Sequence, residues 1–272
     1  MGYVFHLASE IAAGSRPFPR RQDLPPEAYV IGRPPSSQRA FVVSHAWESQ
    51  FHPCPGGEKI VRLATQLRAQ DASTDDMVFL DYGSLAQMGR AVPQSYWDSL
   101  GASVRDQQSP MQKDRSPKEH WQFSQAMHQM LRLYSCQRCE VLVLPTMDDP
   151  STFPDGADLW GWHSENPYEH RGWCATEYAI ARMNGRIVNG DDDAVQAVDR
   201  CRVWPTDIAS YNKMMAGVDF TSRGDRATVV MLFFRFCFDL REKLGLGQEQ
   251  SNPHDPGAKD CRQGRCCGCR VS

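Results

Sequence analysis

Three short apolar runs constrain the fold of this chain more than any other feature of its sequence. They cover residues 40–47, 76–82 and 140–145, and segments with helical periodicity separate them. Such runs, bounded by turn residues, are typical of strands buried on both faces. Strands that alternate with helices form right-handed parallel units. The sequence therefore predicts an α/β fold: an open, mostly parallel sheet of about five strands flanked by helices, with the first run central and a further strand near Ile187.

Composition limits the class of protein. With 272 residues, of which 41% are hydrophobic, the chain can bury a sizeable core in one large domain with insertions. Its net charge of −3, with both signs interspersed, gives no overall field for nucleic acid, and we find no nucleic-acid-binding motif. The apolar run at 229–234 is too short to span a bilayer, and residues 1–10 do not resemble a secretory signal. We expect a cytoplasmic protein.

The chain divides into three regions. Residues 1–38 are rich in proline, which disfavours helix, and we expect an irregular N-terminal arm. Residues 39–244 are expected to form the α/β domain, which ends in an amphipathic helix and carries long insertions at 86–117 and 147–170. Residues 245–272 form a polar, cysteine-rich tail. The second insertion contains several aromatic residues, which either close over a site as a lid or cover the nearby core.

Polar residues follow the first two predicted strands. Ser44, His45 and Trp47 lie at the end of the first strand, and Asp81 lies at the end of the second. The carboxyl ends of parallel strands meet at one edge of a sheet, where ligands bind. We therefore predict that these four residues contact a substrate. For His45, a structural hydrogen bond at a strand end is an equally good interpretation.

The sequence Arg-Gly-Trp-Cys-Ala-Thr-Glu at 171–177 opens a helical pattern after the third strand. Trp173 and Glu177 are four residues apart and share one helix face, so the indole can exclude water from the carboxylate. Such a carboxylate can stabilise a developing positive charge. The alternative is a core-facing tryptophan beside an ordinary solvated glutamate, and the heptapeptide alone favours that alternative.

Ten cysteines do not by themselves indicate disulfides here. Six lie singly or in the pair Cys136-x-x-Cys139, and four lie within the last twelve residues, a distribution that favours reduced thiols. The pair lacks a second pair at zinc spacing. The aspartates at 191–193 are better explained by capping of the following helix than by calcium binding. We therefore predict no metal site.

The last four residues fit a prenylation motif. Cys269 is fourth from the end and a serine is last, although Arg270 is an unusual second residue. Cys266 and Cys267 could then be palmitoylated, and nearby arginines would add attraction to an anionic membrane. This interpretation predicts an anchor on the cytosolic face of a membrane. A disordered tail and an opportunistic metal chelator are the alternatives.

The order of these elements, with Trp-Cys-x-x-Glu opening a helix after Val-Leu-Val-Leu-Pro, resembles the Toll/interleukin-1-receptor (TIR) domain superfamily. The chain is also similar to the fungal heterokaryon-incompatibility domain through its residues at 44–47, 81–87, 130–135 and 171–173. The resemblance covers roughly residues 40–190, and its four motifs occur in the expected order.

The resemblance implies a flavodoxin-like sheet and, in catalytic members, a helix-borne glutamate that supports cleavage of the nicotinamide–ribose bond of NAD. Glu177 matches that glutamate, and Trp173 would form an apolar wall beside it. Arg171 departs from the serine of many TIR domains, and strand one lacks their Phe-Arg pair. The implied function is a signalling or defence enzyme with NAD as substrate and no cofactor. Hydrolysis, cyclisation and base exchange remain open. The alternatives are a non-enzymatic self-association module and a nucleoside or nucleotide glycosyl transferase.

Overall fold

The computed structural model describes residues 4–7, 18–24, 28–90, 114–154, 156–161, 163, 165–222 and 224–243. The predicted tail, with its lipidation sites Cys266, Cys267 and Cys269, lies outside these residues. So does most of the insertion at 86–117. Residues Met1–Cys237 form one compact unit, and Phe238–Ser272 form a second.

A five-stranded sheet organises the chain. Its strands are β1 (Val4–Leu7), β2 (Tyr29–Ile31), β3 (Ala40–His45), β4 (Met77–Phe79) and β5 (Cys139–Leu144). The spatial order is β2-β1-β4-β3-β5, in which β4, β3 and β5 are parallel to one another. The prediction of an α/β fold with an open parallel sheet flanked by helices is confirmed. Strand β3 is the middle strand of the parallel part, and all six of its residues are buried.

The N-terminal region contributes two strands, so the prediction of an irregular arm at 1–38 was wrong for them. Strand β1 pairs antiparallel with both β2 and β4. The prolines fall between or after the two strands, where they remove no donor from the ladder. At the opposite edge, the strand expected near Ile187 is reduced to a single parallel bridge with Val141.

Eight α-helices lie in the described part of the chain. They are α1 (Glu58–Ala69), α2 (Asp81–Ser84), α3 (Pro117–Met127), α4 (Leu131–Tyr134), α5 (Gly172–Met183), α6 (Asp193–Arg200), α7 (Ile208–Met215) and α8 (Asp225–Lys243). Short 3-10 helices cover Arg21–Asp23, Pro150–Thr152, Ala157–Trp160 and Tyr168–His170. The Asp192 side chain caps α6, as predicted for this aspartate run. None of the described helices combines the length and apolar character that crossing a bilayer requires.

The two faces of the sheet bury separate apolar clusters, because successive residues of a strand point to opposite sides. On one face, Phe41 and Val43 belong to the cluster that includes Leu63 of α1. On the other face, Val42 and Val143 belong to the cluster that includes α4, α5, α7 and α8. This second layer positions the start of α5 beside the carboxyl ends of the strands.

Candidate active site

A cavity of about 380 Å³ lies at the carboxyl ends of β3 and β4. Its volume lies near the lower end of the range for small-molecule sites, about 300–1,000 Å³. Five of the six predicted site residues line it: His45, Trp47, Asp81, Trp173 and Glu177. The sixth, Ser44, is fully buried and hydrogen-bonds to Glu177. The parallel topology thus brings all six predicted residues to one edge of the sheet, as expected for this kind of fold.

Glycine at the start of α5 allows a close contact at the cavity wall. A Cβ on Gly172 would lie 2.0 Å from the ring of Phe220, which also lines the cavity. Any larger residue would displace that ring. The backbone N–H of Gly172 donates to the carbonyl oxygen of Asp219 at 2.8 Å, which holds the two segments together.

Glu177, in the second turn of α5, is only 6% exposed. Ser44 Oγ donates a hydrogen bond of 2.6 Å to Glu177 Oε2 and lies 2.6 Å from the hydroxyl of Tyr168. The Tyr134 hydroxyl group also lies beside Glu177 and donates to the Val43 carbonyl oxygen at 3.2 Å. When Glu177 is ionised, Ser44 uses its one hydrogen toward the carboxylate, and Tyr168 is then the donor to Ser44. The alternative of an ordinary solvated glutamate is excluded by this burial.

Burial raises the pKa of Glu177 to about 8. The hydrogen bond from Ser44 and the polar Tyr134 hydroxyl group oppose this rise in pKa, whereas the negative charge of Asp81 adds to it. Within the described ranges, no basic side chain forms an ion pair with Glu177. A carboxyl group with such a pKa beside a cavity is a candidate functional group. A cationic ligand in the cavity would favour its ionised form.

Trp173 also lines the cavity, as the spacing to Glu177 predicts. Its indole Nε1 donates to Oδ2 of Asp225, at the start of α8, over 3.2 Å. This bond fixes the ring at one wall and satisfies its only polar atom.

Asp81 holds two other predicted site residues in place. Its Oδ1 lies 2.8 Å from Nε2 of His45, and its Oδ2 accepts a hydrogen bond of 2.8 Å from the Trp47 indole. Burial acts to raise the pKa of Asp81, but the charge of His45 and the hydrogen bonds from His45, Trp47 and the Tyr82 amide lower it overall. Asp81 is therefore ionised at neutral pH and can only accept hydrogen bonds.

This arrangement determines the tautomer of neutral His45. Since Asp81 only accepts, Nε2 carries the hydrogen and Nδ1 carries the lone pair. Nδ1 is buried and has no hydrogen-bond partner within the described residues. His45 therefore makes the structural hydrogen bond considered from the sequence, and its ring also lines the cavity. Asp81 acts as its positioning residue, because both carboxylate oxygens already have partners within the protein.

Two tyrosines at the site were not predicted from the sequence. Tyr134 belongs to an apolar helical stripe, and Tyr168 belongs to the aromatic insertion at 147–170. A tyrosine buried in an apolar stripe needs a partner for its hydroxyl group, which is the one signal that could have indicated them. Within the same insertion Trp160 is 1% exposed and bonds to the Pro154 carbonyl oxygen. The rings of Trp160 and Tyr168 are both buried against the core, so these two residues do not form a lid over the site.

Arg171 places a positive charge at the cavity wall. Its guanidinium group donates to the carbonyl oxygen of Asn166 at 2.7 Å and to that of Trp47. Burial lowers the pKa of Arg171, although a guanidinium group stays protonated at neutral pH. A planar cation held by backbone carbonyls suits recognition of an anionic oxygen, such as one of a phosphate.

A second buried cluster contains possible metal ligands. Ligand atoms of Glu48, Cys54 and Asp148 lie within 4.8 Å of one another. However, Lys59 Nζ lies 2.7 Å from Glu48 Oε1, and Arg62 pairs with Asp148. Burial raises the pKa of Cys54 to about 12, which keeps its thiol protonated. The two cations already balance the carboxylates, so we interpret this cluster as a structural ion-pair network.

No protein-family model, no curated protein and no solved structure matches this chain. The function must therefore be inferred from the chemistry of the cavity.

Proposed function

We propose that this protein cleaves the bond between nicotinamide and ribose in NAD, with Glu177 as the carboxylate that stabilises the ribosyl cation. The observation that carries the proposal is the buried Glu177 carboxylate, bonded to Ser44 at the wall of a cavity at the sheet edge. Departure of nicotinamide leaves an oxocarbenium-like ribose, which a nearby carboxylate stabilises.

The charge of the substrate supports this role for Glu177. The nicotinamide ring of NAD is a cationic pyridinium and leaves as a neutral base, so it needs no proton. A cation within about 4–6 Å of a carboxyl group favours ionisation. The bound substrate would therefore lower the pKa of Glu177, so that its proton is released to solvent and the carboxylate that the reaction needs is formed. Trp173 would exclude water from one side, and Arg171 would contact a phosphate oxygen.

His45 would decide which molecule attacks the ribose after nicotinamide has left. A water molecule that attacks the ribose must lose a proton, and His45, which lines the cavity, would accept it. An aromatic base such as pyridine has no proton to lose and would not need His45. The proposal therefore predicts that His45→Gln reduces hydrolysis more than exchange of nicotinamide for pyridine.

The decisive experiment is incubation of the purified chain with NAD, followed by chromatography and mass spectrometry of the products. Glu177→Gln keeps the shape of the side chain and removes its charge, and we expect turnover to fall by about 100-fold or more. Glu165→Gln, at an exposed position, is the matched control and should keep full activity. Equal turnover in Glu177→Gln and the control would exclude Glu177 as the catalytic group.

A second candidate function has one specific observation in its favour. Because the pKa of Glu177 is about 8, this carboxyl group is largely protonated at pH 7 in the free protein. A protonated carboxyl group can donate to a neutral base as it leaves, which is what N-glycosyl transfer from a nucleoside or nucleotide requires. Release of bases from nucleosides, but not of nicotinamide from NAD, would favour this reaction. Turnover of neither substrate class would favour a self-association module.

A further inference from the structure

The cysteine pair at 136 and 139 lies outside the cavity and has no part in the proposed reaction. The chain turns tightly between α4 and β5, and the Cys139 N–H donates to the Cys136 carbonyl oxygen at 3.0 Å. In such a turn the first and fourth Cα atoms lie within about 7 Å of each other. A disulfide needs a Cα separation of about 4.4–6.8 Å. The turn therefore brings the two residues to a separation near that of a disulfide.

The two thiols differ in exposure and acidity. Cys136 is partly exposed, whereas Cys139, the first residue of β5, is 5% exposed. A hydrogen bond from the Cys139 thiol lowers the pKa of Cys136, and the Arg138 and Cys139 amides and the Arg138 charge add to this effect. The same interaction raises the pKa of Cys139. Cys136 is therefore the thiol that attacks, because the thiolate is the nucleophile.

We propose that Cys136 and Cys139 form a redox-active dithiol that a small-molecule disulfide, such as glutathione disulfide, oxidises to an intramolecular disulfide. The Cys136 thiolate attacks the glutathione disulfide, forms a mixed disulfide and releases one glutathione thiolate. Cys139 then loses its proton and attacks the Cys136 sulfur, which releases the second glutathione. The protein loses two electrons and two protons, and one glutathione disulfide becomes two glutathione molecules.

A disulfide between Cys136 and Cys139 would lie close in sequence to Tyr134, which is part of the Glu177 site. Tyr134, the last residue of α4, lies two residues before Cys136 and donates from its hydroxyl group to the Val43 carbonyl oxygen at 3.2 Å. A disulfide would tie the end of α4 to the first residue of β5. Oxidation is thus expected to constrain the segment that positions Tyr134 beside Glu177.

The test uses the full chain, reduced and then equilibrated with glutathione disulfide and glutathione at several ratios. Free thiols are blocked with iodoacetamide, and peptides are identified by mass spectrometry. We expect a Cys136–Cys139 disulfide in the unaltered chain. In Cys139→Ser we expect a glutathione adduct on Cys136, and in Cys136→Ser we expect an unmodified Cys139. Circular dichroism of both variants confirms that they fold.

Cys201 provides the internal control. It is exposed, but burial of part of its thiol raises its pKa. If exposure alone decided reactivity, Cys201 would react first with iodoacetamide at pH 7, whereas the proposal predicts that Cys136 reacts at least tenfold faster. Faster alkylation of Cys201 would overturn the proposal. A mixed disulfide that persists on Cys136 in the unaltered chain would overturn it too, because the pair would then not close.

Discussion

Glu48 and Glu177 are both buried glutamates at the same end of the sheet, yet their surroundings differ. They are 2% and 6% exposed, and burial raises the pKa of both carboxyl groups. Glu48 accepts from Lys59 Nζ at 2.7 Å and from the Asp148 amide at 3.1 Å. Glu177 has hydroxyl partners and faces a cavity.

The Lys59 ammonium group gives the ion-pair network around Glu48 a structural role. Lys59 is 1% exposed and also donates to the carbonyl oxygens of Ala46 and Pro53. One buried cation thus links α1 to the loop that follows β3. The carboxylate of Glu48 balances its charge, as buried ions require. This cluster maintains the fold beside the site.

Among the described residues, no basic side chain forms an ion pair with Glu177, and this difference from Glu48 leaves its carboxyl group open to a ligand. Because burial raises its pKa, the Glu177 carboxyl group keeps a proton up to about pH 8, and a charged ligand in the cavity would shift that pKa. A buried carboxylate that pairs with a basic side chain of the protein stabilises the fold. A buried carboxyl group that forms no such pair can interact with the charge of a ligand.

The largest expected effect on folding comes from Glu48. Glu48→Gln leaves the Lys59 charge buried without its carboxylate, and we expect a loss of about 3–5 kcal/mol in the free energy of unfolding, measured with urea. Replacing both residues, Glu48→Gln with Lys59→Met, removes the uncompensated charge and should recover part of this loss. If the double variant is less stable than Glu48→Gln alone, the ion pair does not explain the effect.

Replacing Glu177 is expected to stabilise the fold rather than destabilise it, and the size of this effect should depend on pH. Its pKa is about 8 in the folded protein and 4.5 in the unfolded chain, so folding favours the protonated form. Its contribution to stability is therefore complete below pH 4.5 and is lost as the pH rises toward 8. Glu177→Gln lacks this loss.

Relative to the unaltered chain, Glu177→Gln should gain up to about 4 kcal/mol in unfolding free energy between pH 5 and pH 8, at about 1.36 kcal/mol per pH unit. Urea unfolding of both proteins at several pH values measures the difference. A difference that is constant across this range would contradict the raised pKa of Glu177.

The pH dependence of NAD turnover also tests whether Glu177 acts as an ionised carboxylate. If ionised Glu177 cleaves NAD, kcat/KM should rise about tenfold per pH unit up to a midpoint near the pKa of about 8. The midpoint of kcat should lie at lower pH, because the bound pyridinium favours the carboxylate. Initial rates between pH 5.5 and pH 9.5 measure both. A fall in kcat/KM across this range would instead indicate an acid and favour the nucleoside reaction.

The smallest expected effect comes from Ser44, whose hydrogen bond lowers the pKa of Glu177. Removing a bond of about 1 kcal/mol in Ser44→Ala should raise the midpoint of kcat/KM by about half to one pH unit. Thr65→Ala, which removes an exposed hydroxyl group bonded to its own helix, is the matched control and should leave the midpoint unchanged. An unshifted midpoint in Ser44→Ala would show that this bond does not tune Glu177.

The parallel strands were predictable because burial on both faces leaves a continuous apolar run, which is a local signal. The face shared by Trp173 and Glu177 follows from helical periodicity, and the position of Ser44, His45 and Asp81 follows from the parallel topology. Strands β1 and β2 were missed because they are only four and three residues long and lie in a region whose many prolines disfavour regular structure. Their pairing joins segments that are distant in sequence.

The sequence by itself determined the fold class and the residue types that meet at one edge of the sheet. Only the tertiary structure decided their chemical states. The bond between Ser44 and Glu177 spans 133 residues, and the bond between His45 and Asp81 spans 36. Periodicity and strand order bring such residues near one another. Hydrogen bonding, desolvation and the presence or absence of a neighbouring cation act over a few ångströms, and side-chain packing alone sets those distances.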